Sequence, residues 1–509
     1  MKRLYSRGFL FTDNLLLNNT WDSDHVWTED SFGQNRLFRD GNLSSTVQSG
    51  STGVLILIGH AYNPFTMQWR EQDILKNLMK CLDKDEKSLF WKGVDELTGV
   101  FVLLFLQGKK VYVIGDASGM QTVYYAQKDG KVYVSSHTEL LGESLGLKWD
   151  PYISRLVDYR FFHLLGNSLP GNLTAYKEVR RLVPNHYIIL EPFKTTRSKR
   201  FYTPLDRKLS VEEAACEVAD ILHRNLDLIV RKWNHPAISM TGGCDSRTTL
   251  AAANGLYNRF TYFSYISNEA EQVDAKAAHM LCKELGLPHT IYQIPARDEE
   301  LDGIDEAREV LFCNCGKLGP NNPNDVRKRV YLAKNHDFDI EVKSWASEIG
   351  RAYYSKRFHG RTEFGDKPTP RKCTTLYKFF LNNRKLVWET DRVFKEYLKI
   401  YFKQDSEKPL AWQDQFFWEF RVPSWNGPVI TGEHRYSFDI TIPYNNRRLL
   451  ETLLSVSIED RIHDKVYSSI RDLMNPAVDA TRISITNMHH TDIRARLENL
   501  YYILHNIII

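Results

Sequence analysis

The residues 238–247, Ile238-Ser239-Met240-Thr241-Gly242-Gly243-Cys244-Asp245-Ser246-Arg247, set a hydroxyl-Gly-Gly-x-Asp-Ser turn after an apolar approach. The run 248–253 that follows reads as the first turns of a helix. A glycine-rich turn between strand and helix lets backbone N–H groups face an anion, and the helix N-terminus adds partial positive charge. The hydroxyls of Thr241 and Ser246 are further donors to phosphate oxygens, with Ser239 at the end of the approach. Asp245 does not suit phosphate binding alone, because its charge repels the ligand unless a cation intervenes. The pattern therefore points to ATP with Mg²⁺ bridging carboxylate and phosphates. There is no Gly-Lys-Ser/Thr, so this is not a Walker A loop, and two glycines with an Asp also make ordinary turns. The flanking strand and helix favour the nucleotide.

The elements around this turn alternate. Residues 258–265 form an apolar, aromatic strand ending at Tyr265, and 268–289 lead through a helix to Leu285-Gly286. Strand–loop–helix alternation predicts a parallel sheet with the nucleotide at strand C-termini, which sets Tyr265 beside the loop as a cofactor contact. Upstream, 211–231 has helical apolar spacing. The first 150 residues are β-rich: 54–58, 99–106, 110–114 and 131–135 read as short strands separated by turns. A helical pattern at Ile74, Leu75, Leu78 and Leu82 lies between the first two. A Pro- and Gly-rich zone, 150–204, links the halves. The C-terminal third reads as mostly helical, with aromatic clusters at Trp412, Phe416, Phe417, Trp418 and Phe420.

Composition narrows the class. With 509 residues, 42% hydrophobic and 26% charged, the chain holds two or three domains. Its 67 basic residues nearly balance 63 acidic ones, a net charge of +4 that argues for no nucleic acid partner. The cluster Lys194, Arg197, Lys199 and Arg200 reads as a solvated linker. No apolar run approaches the roughly 20 residues a membrane helix needs, so no membrane association is expected. Seven cysteines suit reduced thiols, and the start lacks a secretory pattern. A cytoplasmic location follows by default, and a homodimer is compatible with this composition.

The turn resembles the pyrophosphatase loop, Ser-Gly-Gly-x-Asp-Ser, of the asparagine synthetase family, which includes β-lactam synthetases. Further pieces of the chain are similar to that family in the same order. In the first half these are Gly59-His60-Ala61-Tyr62-Asn63, Glu96-Leu97-Thr98-Gly99-Val100-Phe101, and Asp116 to Gly119 followed by Tyr124-Tyr125. The resemblance implies an α+β N-terminal Ntn-hydrolase-like antiparallel sandwich over 1–205. It further implies an α/β adenine-nucleotide α-hydrolase-like (PP-loop) synthetase domain over 206–509, with a mostly helical C-terminal part. The family's glutaminase uses a Cys directly after the initiator Met, whereas residue 2 is Lys and the first Cys is Cys81. His60 stands in place of the glutamine-binding Glu. Glutamine hydrolysis is therefore expected to be lost.

The segment Ser344-Trp345-Ala346-Ser347-Glu348 to Tyr354 is similar to the family's Gly-Glu-Gly-Ser-Asp-Glu-Leu-Phe-Gly-Gly-Tyr. In that register Glu348 takes the place of the second magnesium-binding Asp, and Trp345 that of a catalytic Glu or Tyr. A register shifted by one sets Glu348 on the following Glu instead. The expected metal ligands are thus Asp245 and Glu348, the latter also catalytic. The counterparts of the family's late lysine, which stabilises an oxyanion, are Lys465 and Arg482. The resemblance implies an ATP-dependent ligase that adenylates a carboxylate and passes it to ammonia or an amine. Its partners would be a small-molecule, peptide or saccharide carboxylate and an amine donor. Trp345 and the missing lysine motif fit the alternative, a non-catalytic or regulatory nucleotide-binding homologue.

Overall fold

A computed structural model describes residues 4–15, 26–320, 322–360, 362–381, 383–402, 410–479 and 492–507. Period-two alternation in the first half resolves into two antiparallel six-stranded sheets. One runs in the order Arg180–Arg181, Tyr124–Lys128, Lys131–Ser135, Phe9–Thr12, Asn35–Asp40 and Trp27–Phe32. The other runs Arg197–Arg200, His186–Leu190, Lys110–Gly115, Thr98–Gln107, Val54–Tyr62 and Ser45–Ser49. Ile56, Ile58, Val102 and Leu104 meet Phe9, Phe11 and Leu37 in one core between the sheets. The alternate residues Leu55, Leu57, Leu103 and Phe105 pack under the helices Glu71–Asp83 and Lys87–Asp95. Leu140 and Leu141 of the helix Thr138–Ser144 cover the outer face of the first sheet. The result is a helix–sheet–sheet–helix stack. A strand buried on both faces has no polar side, which is why 100–106 reads as an unbroken apolar run.

The basic cluster expected to be linker is instead an edge strand. Arg197–Arg200 pairs antiparallel with His186–Leu190, and Arg200 grips Glu419 through two bonds of 2.7 Å. A distant carboxylate decided that outcome, and local composition carried no trace of it.

In the second half, Ser210 and Glu213 form a capping box that starts the helix Val211–Lys232. The five-stranded parallel sheet follows the order Thr290–Gln293, Thr261–Ile266, Pro236–Ser239, Ile340–Val342 and Ile440–Thr441. Pro236–Ser239 is therefore central, and the loop after it and the loop after Ile340–Val342 emerge side by side. Between Phe417 and His434 the helix changes pitch twice, with π-helical turns Phe417–Arg421 and Ile430–His434 flanking Val422–Val429. Pro423 and Pro428 lack the N–H that a regular helix needs, and π-turns absorb such defects. Among the described residues, no helix is long and apolar enough to cross a membrane.

Candidate nucleotide site

Residues 240–246 cross from the central strand to the helix Cys244–Ala252. Gly243 is the N-cap and carries no side chain to satisfy the first-turn amides. Gly242 is pinned by its N–H to the Asp274 carboxylate. The hydroxyls of Thr241 and Ser246 bond to each other at 2.8 Å, and Ser246 Oγ also donates to the Thr241 carbonyl. Their role in this geometry is to fix the loop's shape, while the helix N-terminus supplies the donors.

A cavity of about 280 Å³ opens over this loop. Ser239, Thr241, Gly243, Asp245 and Ser246 line one side, and Lys343, Ser344, Trp345 and Glu348 the other. The two expected metal ligands thus face one space from the ends of neighbouring strands. Glu348 is open to solvent at the cavity mouth yet ringed by protein, and its pKa is raised by burial and then by the Asp245 charge. Asp245 Oδ2 accepts a 2.7 Å bond from Arg351, while Oδ1 is buried without a partner. An orphan carboxylate oxygen beside a second carboxylate fits a divalent cation that also holds phosphate oxygens.

Glu348 and Arg351 belong to the 3₁₀ turn Ser347–Arg351, bounded by Ala346 at φ 70° and Ala352 at φ 48°. Both alanines occupy left-handed backbone, which costs an L-residue roughly 1–2 kcal/mol. Packing holds the turn there: a Cβ on Gly350 would meet Leu453 Cβ at 2.6 Å, and Tyr467 donates to the Ser347 carbonyl at 2.6 Å. Arg351 is held to Asp464 by two 2.9 Å bonds, and Lys356 joins the same carboxylate.

Several expected contacts move. Tyr265 does not line this cavity; it borders a second one, with Lys328 Nζ 4.7 Å from its ring centroid. Tyr265 stands within the strand Thr261–Ile266, and its ring lies against Lys328. Lys465 also does not join the site: it is 53% exposed and paired with Asp460 at 2.6 Å. Arg482 lies outside the described residues. The site's cations are instead Lys343 and Arg351. Lys343 is buried, lines the cavity and donates to Glu341 at 3.0 Å. Burial opposes ionisation of Glu341, but its neighbours, Lys343 foremost, together outweigh it and hold the carboxyl well below its usual range. A lysine directly after a short apolar strand was the available signal. Trp345 lies under Lys343 Nζ, 4.9 Å from its ring centroid, and edge-on to His434 at 5.2 Å.

His60 is packing. Its ring is buried against Trp233, 3.8 Å from Asp439, and burial pushes its pKa down to about 3. Burial also opposes ionisation of Asp439, yet its neighbours, Arg435 foremost, together bring that pKa to about 2.

No family model matches the chain, and no curated protein does. Among solved structures it is similar to an allosteric regulatory enzyme of purine biosynthesis, at 10% identity and TM-score 0.25, covering 50% of this chain and 58% of that one. Glutamine phosphoribosylpyrophosphate amidotransferase from B. subtilis, complexed with ADP and GMP, gives 12% identity and TM-score 0.23 over 50% and 59%. Glutamine-dependent NAD⁺ synthetase from Acinetobacter baumannii, in complex with ADP, gives 14% and 0.20 over 42% and 38%. The chain thus spans less than two thirds of each of these neighbours, and scores this low carry no argument about activity.

Proposed function

We propose that the chain is an ATP-dependent ligase that adenylates a carboxylate and joins it to ammonia or an amine, as in asparagine synthetase-like enzymes. The observation that carries this reading is the meeting of the 241–246 loop and the Glu348 turn over one cavity at the ends of adjacent parallel strands. Asp245 and Glu348 would hold Mg²⁺, which when bound neutralises phosphate charge and polarises the α-phosphate. The amides at the start of Cys244–Ala252 orient the pyrophosphate, and Lys343 and Arg351 offset its charge. A carboxylate oxygen attacks the α-phosphorus and pyrophosphate departs. The amine nitrogen then attacks the acyl carbon, loses a proton and releases AMP. Trp345 has no basic lone pair, so it shields the site from water and takes no proton. The N-terminal half, with His60 locked in packing, fits a scaffold without glutaminase activity.

The test is formation of AMP and pyrophosphate from ATP with Mg²⁺, ammonia and a panel of organic acids. Asp245→Ala is expected to reduce turnover at least about a hundredfold. Acid-dependent AMP formation that survives this change unaltered would sink the assignment. Tight ATP binding with no AMP across the panel would favour the non-catalytic alternative, to which Trp345 lends support.

A further inference from the structure

A second cavity, about 350 Å³, opens between the two halves. Tyr124, Thr138 and Arg181 wall it on the N-terminal side, and Lys328, Arg329 and Glu433 on the other. Trp425 and Val429, one helical turn apart, line both this cavity and the nucleotide cavity. Its volume suits a small ligand.

Its charged groups are unevenly paired. Lys328 is satisfied by Glu271 at 2.6 Å and Asp325 at 3.4 Å. Arg181 and Arg329, 5% and 3% exposed, have no such partners. Arg181 donates Nη2 to the Gly171 carbonyl at 2.8 Å and leaves Nε unpaired. Arg329 donates Nη2 to His434 Nε2 at 2.9 Å and leaves Nε and Nη1 unpaired. A guanidinium cannot accept, so that histidine nitrogen does, and His434 is neutral there. Among the described residues, neither arginine has a carboxylate at ion-pair distance. Both guanidiniums thus line the cavity with unpaired N–H groups, and Glu433, whose burial raises its pKa to about 7, feels the Arg329 charge without bonding to it. An uncompensated buried charge costs several kcal/mol.

We propose that the interdomain cavity binds a small organic acid whose carboxylate completes the charge of Arg181 and Arg329, making the N-terminal half a wall of the substrate site. The organic-acid class rests on the ligase reading; the unpaired nitrogens of the two buried guanidiniums do not. The second functional group of such an acid would then face the shared Trp425–Val429 wall and the nucleotide beyond it.

Isothermal titration of the full chain without ATP decides the matter, using succinate, glutarate and adipate, with inorganic phosphate and succinamide as controls. At least one dicarboxylate is expected to bind saturably and succinamide not at all. Arg181→Gln should weaken that binding about tenfold or more while Mg-ATP binding stays within about twofold. Glu433→Gln should tighten it severalfold, and that variant decides the outcome if Arg181→Gln does not fold. No saturable carboxylate binding, or binding indifferent to both substitutions, overturns the proposal. Phosphate bound as tightly, with the same dependence on Arg181, overturns the organic-acid class. Because no turnover is read, failure to form AMP leaves this result standing, and the converse holds too.

Discussion

Arg351 and Asp245 share a contact that a divalent cation would also seek. Arg351 is the only described residue whose charge both reaches Asp245 at 2.7 Å and is anchored by a second carboxylate, Asp464. Arg351→Met leaves Asp245, Asp464 and Glu348 facing one another with only Lys356 and Arg421 to offset them. Discounted for partial exposure, this should lower stability by about 1–3 kcal/mol. Added Mg²⁺ should then raise the melting temperature of the variant more than that of the parent, which a thermal titration reads directly. Glu433 gives a pH signature. Its folded pKa, about 7, is raised from 4.5 by burial, with Arg329 opposing and Asp325 reinforcing. A raised carboxyl stabilises the fold while protonated. Its contribution is therefore full below about pH 4.5 and is lost as pH rises through 7. Relative to Glu433→Gln, the parent should lose on the order of 2 kcal/mol between pH 5 and 8, measured by denaturant unfolding.

The Ser347–Arg351 turn is an element whose shape comes from its neighbours. Gly350→Ala would drive a Cβ into Leu453 on the helix Arg447–Leu454, where Leu453 Cβ sits too near its backbone to swing away. A loss of about 1–3 kcal/mol is expected, with weaker Mg²⁺-dependent ATP binding because Glu348 moves with the turn. The strand, Gly-Gly turn and helix of the loop were legible in the sequence, since they are contiguous and each is locally encoded. The Lys343 and Arg351 contributions were not. Lys343 precedes its turn without a motif, and Arg351 acquires its role only when Asp245 and Asp464, 106 and 113 residues away in sequence, converge on it. Tyr265 and Lys465 were misplaced for the same reason: which cavity a strand or helix-start side chain borders is set by packing.

The two halves are joined by buried polar contacts across their whole interface. Arg447, wholly buried, donates to the carbonyls of Gly115 and Asp116 at 3.0 Å each and to Asn185 at 3.2 Å. Asn445 donates to Gly99 and Trp418 to Ala117. A Cβ on Gly427 would meet the Gly119 carbonyl oxygen at 2.3 Å, so the pitch-changing helix presses directly on the N-terminal half. Arg447→Met strands three acceptors and should cost about 2–4 kcal/mol by chemical denaturation. Both halves should unfold in one transition; a separate, reversible transition for either would contradict this reading of the interface.

Alternating apolar residues and contiguous turn chemistry let the sequence alone determine the β-rich first half, the strand–loop–helix of 236–252 and Asp245 in the first turn after its Gly-Gly loop. Those properties depend on neighbours a few positions apart, where periodicity and backbone chemistry act. Tertiary structure decided which charges meet: Glu348 and Arg351 at the loop, His60 turned to packing, and Arg181 and Arg329 brought to the wall of one cavity. Coulombic and desolvation energies depend on distance through space, and residues remote in the chain carry no local mark of where they will stand.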